Sequence, residues 1–161
     1  MYALVLGGVV GWLPRPVSAQ TTLNQTTCVP GPASCLAQTI AVDCNAGGRI
    51  NTALASITDR DALNVITVAG TCSAEVVNIT GFNRLTIQGN GGATITTGMN
   101  VSSSRNVMLR SLTFALSNPG GFLGLAASSV ALDGVTVQGS PFDYAVSVGG
   151  GSVLDSPARQ A

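Results

Sequence analysis

The feature that most constrains this chain is an internal repeat. Four short segments match one another: Leu85-Thr86-Ile87-Gln88-Gly89, Val107-Met108-Leu109-Arg110-Ser111, Val130-Ala131-Leu132-Asp133-Gly134 and Val153-Leu154-Asp155-Ser156. With Ile87, Leu109, Leu132 and Leu154 as markers, the steps along the chain are 22, 23 and 22. A second column, Ile79, Val101, Leu123 and Val146, keeps steps of 22, 22 and 23, and Phe114 and Val137 stand 23 apart. Apolar and polar residues alternate within each segment, which is the period of a half-buried strand. One repeat of this size cannot bury its own apolar face. Coils stacked roughly 4.8 Å apart bury a continuous apolar column and pair their backbones with the turns above and below.

The repeat therefore predicts an all-β, right-handed parallel β-helix, a solenoid in which each repeat makes one coil. Gly and Asn at Gly89-Asn90-Gly91-Gly92 and at Asn118-Pro119-Gly120-Gly121 suit its corners. A leucine-rich repeat shares the period, and Leu109-x-x-Leu112-x-Phe114 partly mimics its strand, but its Asn and its helix-forming half are missing. Composition agrees with a packed, turn-rich chain. Of 161 residues, 45% are hydrophobic and 9% charged, too few charges for a disordered tail. The basic residues are seven scattered arginines, and the formal net charge is zero. Without a clustered basic face there is no expectation of nucleic-acid binding.

Ahead of the repeats, Ala3 to Leu13 is an apolar run too short to span a bilayer, followed by Pro14-Arg15-Pro16-Val17-Ser18-Ala19. Residues 1–19 are read as a secretory signal cleaved before Gln20, although no basic residue precedes the apolar run; a buried strand is the other reading. No transmembrane segment is expected, and the protein is placed outside the cytoplasm: secreted, periplasmic or on the cell surface. Residues 20–40, rich in Thr, Gln, Asn and Pro, read as an extended leader, and 41–161 as the cap and first coils. The four cysteines, Cys28, Cys35, Cys44 and Cys72, allow three disulfide connectivities in an exported chain. Zinc is the weaker reading, because there is no Cys-x-x-Cys and no His; free buried thiols are the outcome if the signal is absent. Position favours Cys44 with Cys72, which flank a predicted helix and strand, and Cys28 with Cys35, which bracket Pro30-Gly31-Pro32. The helix follows from apolar residues at 50, 53, 54 and 57.

Ala41-Val42-Asp43-Cys44, Gly47-Gly48-Arg49-Ile50, Ile66-Thr67-Val68-Ala69-Gly70-Thr71-Cys72, Glu75-Val76-Val77-Asn78-Ile79 and Leu85 to Ile95 together resemble a known group. They look like the N-terminal cap and first coils of bacterial proteins with the pectin-lyase-like right-handed β-helix. The resemblance covers about residues 41–156 and implies that the short helix plugs the end of the apolar column. It says little about activity, since the family includes polysaccharide lyases, hydrolases, epimerases and adhesins.

A lyase of this kind uses acidic residues, often with Ca²⁺, and a basic residue that removes a proton beside a uronate carboxylate. Gln88, Arg110, Asp133 and Asp155 each follow a column residue, so alternation places them outward on successive coils. Asp133 above Asp155 would put two carboxylates within reach of one Ca²⁺, with Arg110 one coil away. The plainer reading is an exposed Arg–Asp pair with a second Asp in a solvated turn. Tyr144 in Asp143-Tyr144 is a candidate platform for a sugar, or else edge packing. No Ser has a His partner, and Gly89-Asn90-Gly91-Gly92 precedes no helix that would make it a phosphate loop. The catalytic set stays unknown, and no cofactor or resident metal is expected beyond that Ca²⁺ possibility.

Two function classes remain. One is a surface scaffold or adhesin-like module that binds a polysaccharide, a cell-surface glycan or a partner. The other is the N-terminal fragment of a polysaccharide lyase, hydrolase or epimerase whose active site lies beyond residue 161. Because the repeats run up to Val153-Leu154-Asp155-Ser156, the C-terminal end is expected to continue or to pack on a partner, and the chain alone to be marginally stable or to self-associate.

Overall fold

The computed structural model describes residues 21–22, 37–116, 123–138 and 146–156. Along the chain these form β1 (Thr21–Thr22), β2 (Thr39–Asp43), the helix α1 (Ile50–Ser56), β3 (Asn64–Cys72), β4 (Val77–Thr80), β5 (Leu85–Ile95) and β6 (Met99–Ser102). There follow β7 (Val107–Arg110), β8 (Thr113–Ala115), β9 (Leu123–Ala126), β10 (Ser129–Asp133), β11 (Thr136–Gln138), β12 (Val146–Gly149) and β13 (Val153–Asp155). Among the described residues the strands make two sheets. The long one runs β1-β2-β3-β5-β7-β10-β13, with β8 and β11 continuing a third strip from the far end of β5, and the short one runs β4-β6-β9-β12. From β2 onward every pairing is parallel. Neighbours in each sheet lie about one repeat apart in sequence, so the chain winds into a β-helix of about five turns.

Alternation builds the core. Ile40, Ile66, Ile87, Leu109 and Leu132 stand opposite one another on five consecutive strands. Ile66, Ile87 and Leu109 are 0% exposed. Each such side chain contributes roughly 1.5–3 kcal/mol by leaving water. Phe114 and Val137 are paired as their spacing predicts. The second expected column differs. Ile79 pairs with Val101, but Val101 pairs with Leu125, while Leu123 and Val146 belong with Val77 and Met99. The chain therefore travels further between Val101 and Leu125 than between Ile79 and Val101, and the partner moves on by two, from Leu123 to Leu125. A slip of two preserves which face a strand residue takes, so Leu123 is buried in either register and the pattern alone cannot reveal the shift.

The N-terminal end is closed by α1. Ile50, Ala53, Leu54 and Ile57 are all buried, the stripe that the spacing predicts. The helix covers β4, the first strand of the short sheet, which among the described residues has no strand before it. Asn51 completes the closure: its Nδ2 donates to the Val76 carbonyl at 2.8 Å and its Oδ1 accepts the Asn78 N–H at 2.9 Å. One side-chain amide thus replaces the missing ladder partner. Cys44 and Cys72 form a disulfide, with Cα atoms 5.1 Å apart, that ties the turn before α1 to the end of β3. Cys28 and Cys35, the signal segment, the Asn118-Pro119-Gly120-Gly121 corner and the stretch after Ser156 lie outside the described residues. On the long sheet β2 begins at Thr39, slightly ahead of the expected cap boundary at Ala41, and β1 pairs with it antiparallel.

A serine ladder secures the corner between the short and long sheets. The Ser104 hydroxyl accepts the Phe82 N–H at 3.1 Å, Ser128 accepts the Ser104 N–H at 3.2 Å, and Ser152 accepts the Ser128 N–H at 3.2 Å. Ser104 and Ser128 also donate to the Ser102 and Ala126 carbonyls, so these hydroxyls, 0% and 4% exposed as residues, are fully used. The preceding residue is left-handed on successive turns: Gly81 at φ 71, Ser103 at φ 48, Ala127 at φ 48. The glycine run after Ile87 is a bulge within β5, and the register jumps there from Ala69 opposite Asn90 to Thr71 opposite Thr94.

Candidate functional site

The outer faces carry the chemistry, since the interior is filled by the apolar columns. On the long sheet one outward column runs Ala41, Thr67, Gln88, Arg110, Asp133, and its neighbour runs Thr39, Val65, Thr86, Met108, Ala131, Asp155. Arg110 and Asp133 are therefore stacked as expected, and the Arg110 Nε donates to the Asp133 Oδ2 at 2.8 Å. Their side chains are 46% and 48% exposed, so the pair is a solvated contact worth at most about 1 kcal/mol.

Asp155 is not in that column. Val130, rather than Leu132, pairs with Leu154, which sets Asp155 beside Ala131. The expected stack of two carboxylates does not form, and the Ca²⁺ position that it would have created loses its geometry. Among the described residues no three Asp, Glu, Cys or His side chains converge as a metal would need. Tyr144 and Asp143 lie outside the described residues.

Two other outward columns were missed by marking only apolar positions. Thr71, Thr94, Thr113 and Thr136 stand opposite one another on four successive strands of the third strip. On the short sheet Asn78 pairs with Asn100, whose Nδ2 donates to the Asn78 Oδ1 at 3.2 Å, and beside them the Thr80 and Ser102 hydroxyls are 2.9 Å apart. The recurrence of Asn-x-Thr, starting at Asn78, as Asn-x-Ser, starting at Asn100, was the available signal.

The threonine column offers a hydroxyl on each of four strands, suited to holding a long ligand, while the Asn78–Asn100 and Thr80–Ser102 pairs span two turns and give way to Gly124 and Ala126 on the next. Compared with protein-family models, curated proteins and solved structures, the chain matches none. The β-helix architecture thus rests on the register itself. No helix among the described residues is long and apolar enough to cross a membrane.

Proposed function

We propose that this chain is an exported β-helix protein of the pectin-lyase-like kind that serves as a surface scaffold, holding a glycan along its outer faces. The observation that carries this is the register of neutral polar side chains: Thr71, Thr94, Thr113 and Thr136 on one strip, and Asn78 with Asn100 on another. A polymer whose hydroxyls recur along its length meets the same donor and acceptor on successive turns, and many weak contacts then add as linked binding events. Export is supported by the Cys44–Cys72 disulfide, a bond that persists in oxidising compartments. A glycan array probed with the purified chain tests the proposal. Binding to a subset of glycans, recovered at unchanged length after incubation, is the expected result. Release of shortened products would instead identify a lyase or hydrolase.

A further inference from the structure

Three of the seven arginines mark one edge of the solenoid on successive turns, at the corner where the chain passes into the long sheet. Arg60 precedes β3, Arg84 precedes β5 and Arg105 precedes β7. Their turns are bonded to one another: the Asn83 N–H donates to the Arg60 carbonyl at 3.0 Å, and the Arg105 N–H to the Phe82 carbonyl at 2.7 Å. All three residues are exposed. The Arg60 guanidinium lies 5.0 Å from the Phe82 ring centroid and donates Nη1 to the Thr80 carbonyl, and Arg84 Nε donates to the Asp61 carbonyl. Each head is thereby held with further N–H groups left over. The Arg105 side chain has no hydrogen-bond or ion-pair partner among the described residues. Of the nearby acids, Asp59 turns its Oδ1 to the Asp61 and Ala62 N–H groups, and Asp61 is exposed. A groove of about 260 Å³ adjoins Arg60, and one of about 410 Å³ adjoins Arg105 and Ser129.

We infer that this corner binds a sulfated glycan, its sulfate groups meeting Arg60, Arg84 and Arg105 in turn; the inference rests on the glycan-scaffold proposal and gives it a site and a ligand class. Arg60 and Arg84 each spend one donor on backbone and Arg105 none among the described residues, so every head keeps a pair of N–H groups for an oxyanion. The three terminal oxygens of a sulfate ester accept from several directions at once, so one group can meet heads on adjacent turns, whereas a planar carboxylate offers its two oxygens in one plane. A single nucleic-acid strand gains by stacking its bases on exposed aromatic faces, and Phe82, 3% exposed beneath Arg60, offers none. Asn106 and Ser129 flank Arg105 with groups for sugar hydroxyls.

Titration of the purified chain with a heparin-derived sulfated oligosaccharide and with its desulfated counterpart tests this. The sulfated probe is expected to bind, to weaken steeply with added salt, and to weaken at least about tenfold in Arg84→Ala/Arg105→Ala. Arg49→Ala, at the cap beside Glu75, is expected to bind as the parent does. Thermal melts of both variants establish that they are folded. Equal binding of the two probes, or sulfate-dependent binding unmoved by the double substitution, overturns the arginine corner while leaving the scaffold reading in place. Failure of the sulfated probe to bind overturns the corner too, and if the glycan array is also blank the scaffold reading falls with it.

Discussion

At Leu109 and Met108 adjacent residues take opposite fates, which makes the register testable one side chain at a time. Leu109 is 0% exposed in the five-membered column, so Leu109→Asp is expected to prevent folding and Leu109→Ala to cost roughly 2–5 kcal/mol. Met108→Thr, on the outward face, is expected to stay within about 1 kcal/mol of the parent. Urea unfolding of the three variants checks this, and equal losses at 108 and 109 would mean that the register is off by one. Leu132, in the same column but only half-buried, should lose less on truncation to Ala than Leu109 does. Ser128 is a polar counterpart. Ser128→Ala strips the Ser104 N–H of its acceptor and the Ala126 carbonyl of a donor, and is expected to cost roughly 1–3 kcal/mol, measured in the same way. The serine ladder was not legible in advance, because a serine in a Ser-rich corner such as Ser102-Ser103-Ser104 gives no sign of which hydroxyl turns inward. Phe114, Val137 and the stripe at 50, 53, 54 and 57 were legible, since large apolar residues at a fixed period have only one place to go.

At the scale of elements, α1 and the disulfide together decide how the solenoid begins. Removing the bridge by Cys44→Ser/Cys72→Ser frees a loop spanning 28 residues and is expected to lower stability by roughly 3–4 kcal/mol on the loop-entropy argument, read from denaturant midpoints with and without reductant. The helix has a second role that hydrophobic spacing could not foretell. Asn51 gives β4 the hydrogen bonds that a preceding strand would have supplied, and so conceals an edge that would otherwise template association. Turns were the least legible elements. The slips at Leu125 and Leu154 each add residues to a loop and leave the parity of the following strand unchanged, and for that reason the expected Asp133–Asp155 stack failed while Arg110–Asp133 held. At Gly89, in the β5 bulge, and at Gly48, before α1, space decides any replacement: a Cβ would run into the Ser111 carbonyl oxygen at the first and the Asp43 carbonyl oxygen at the second.

Across the whole molecule burial falls from the cap toward the last described turn. Ile66, Ile87 and Leu109 are fully enclosed, Leu132, Val137, Val146 and Leu154 are half-buried, and Val148 and Val153 are 49% and 61% exposed. In a solenoid each turn contacts only its neighbours, so stability is close to a sum of local and nearest-neighbour terms and different turns can open at different free energies. The inner turns, with β5 flanked by β3 and β7, have strands on both sides, whereas among the described residues β12 and β13 are paired on one side only. Amide hydrogen exchange followed by peptide mass spectrometry is therefore expected to show a gradient. Peptides spanning 146–156 exchange first, those of β9 and β10 later, and those of β3, β5 and β7 last, near the global unfolding limit. Exchange should quicken further at β12 and β13 in Leu154→Ala while β5 is unmoved, because the perturbation must pass through intervening turns to reach it. Uniform protection from β3 to β13 would mean that the turns open as one unit, or that another surface covers β12 and β13. Repeating the measurement over a wide range of protein concentration separates these outcomes, since protection by a second molecule fades on dilution and cooperative protection does not.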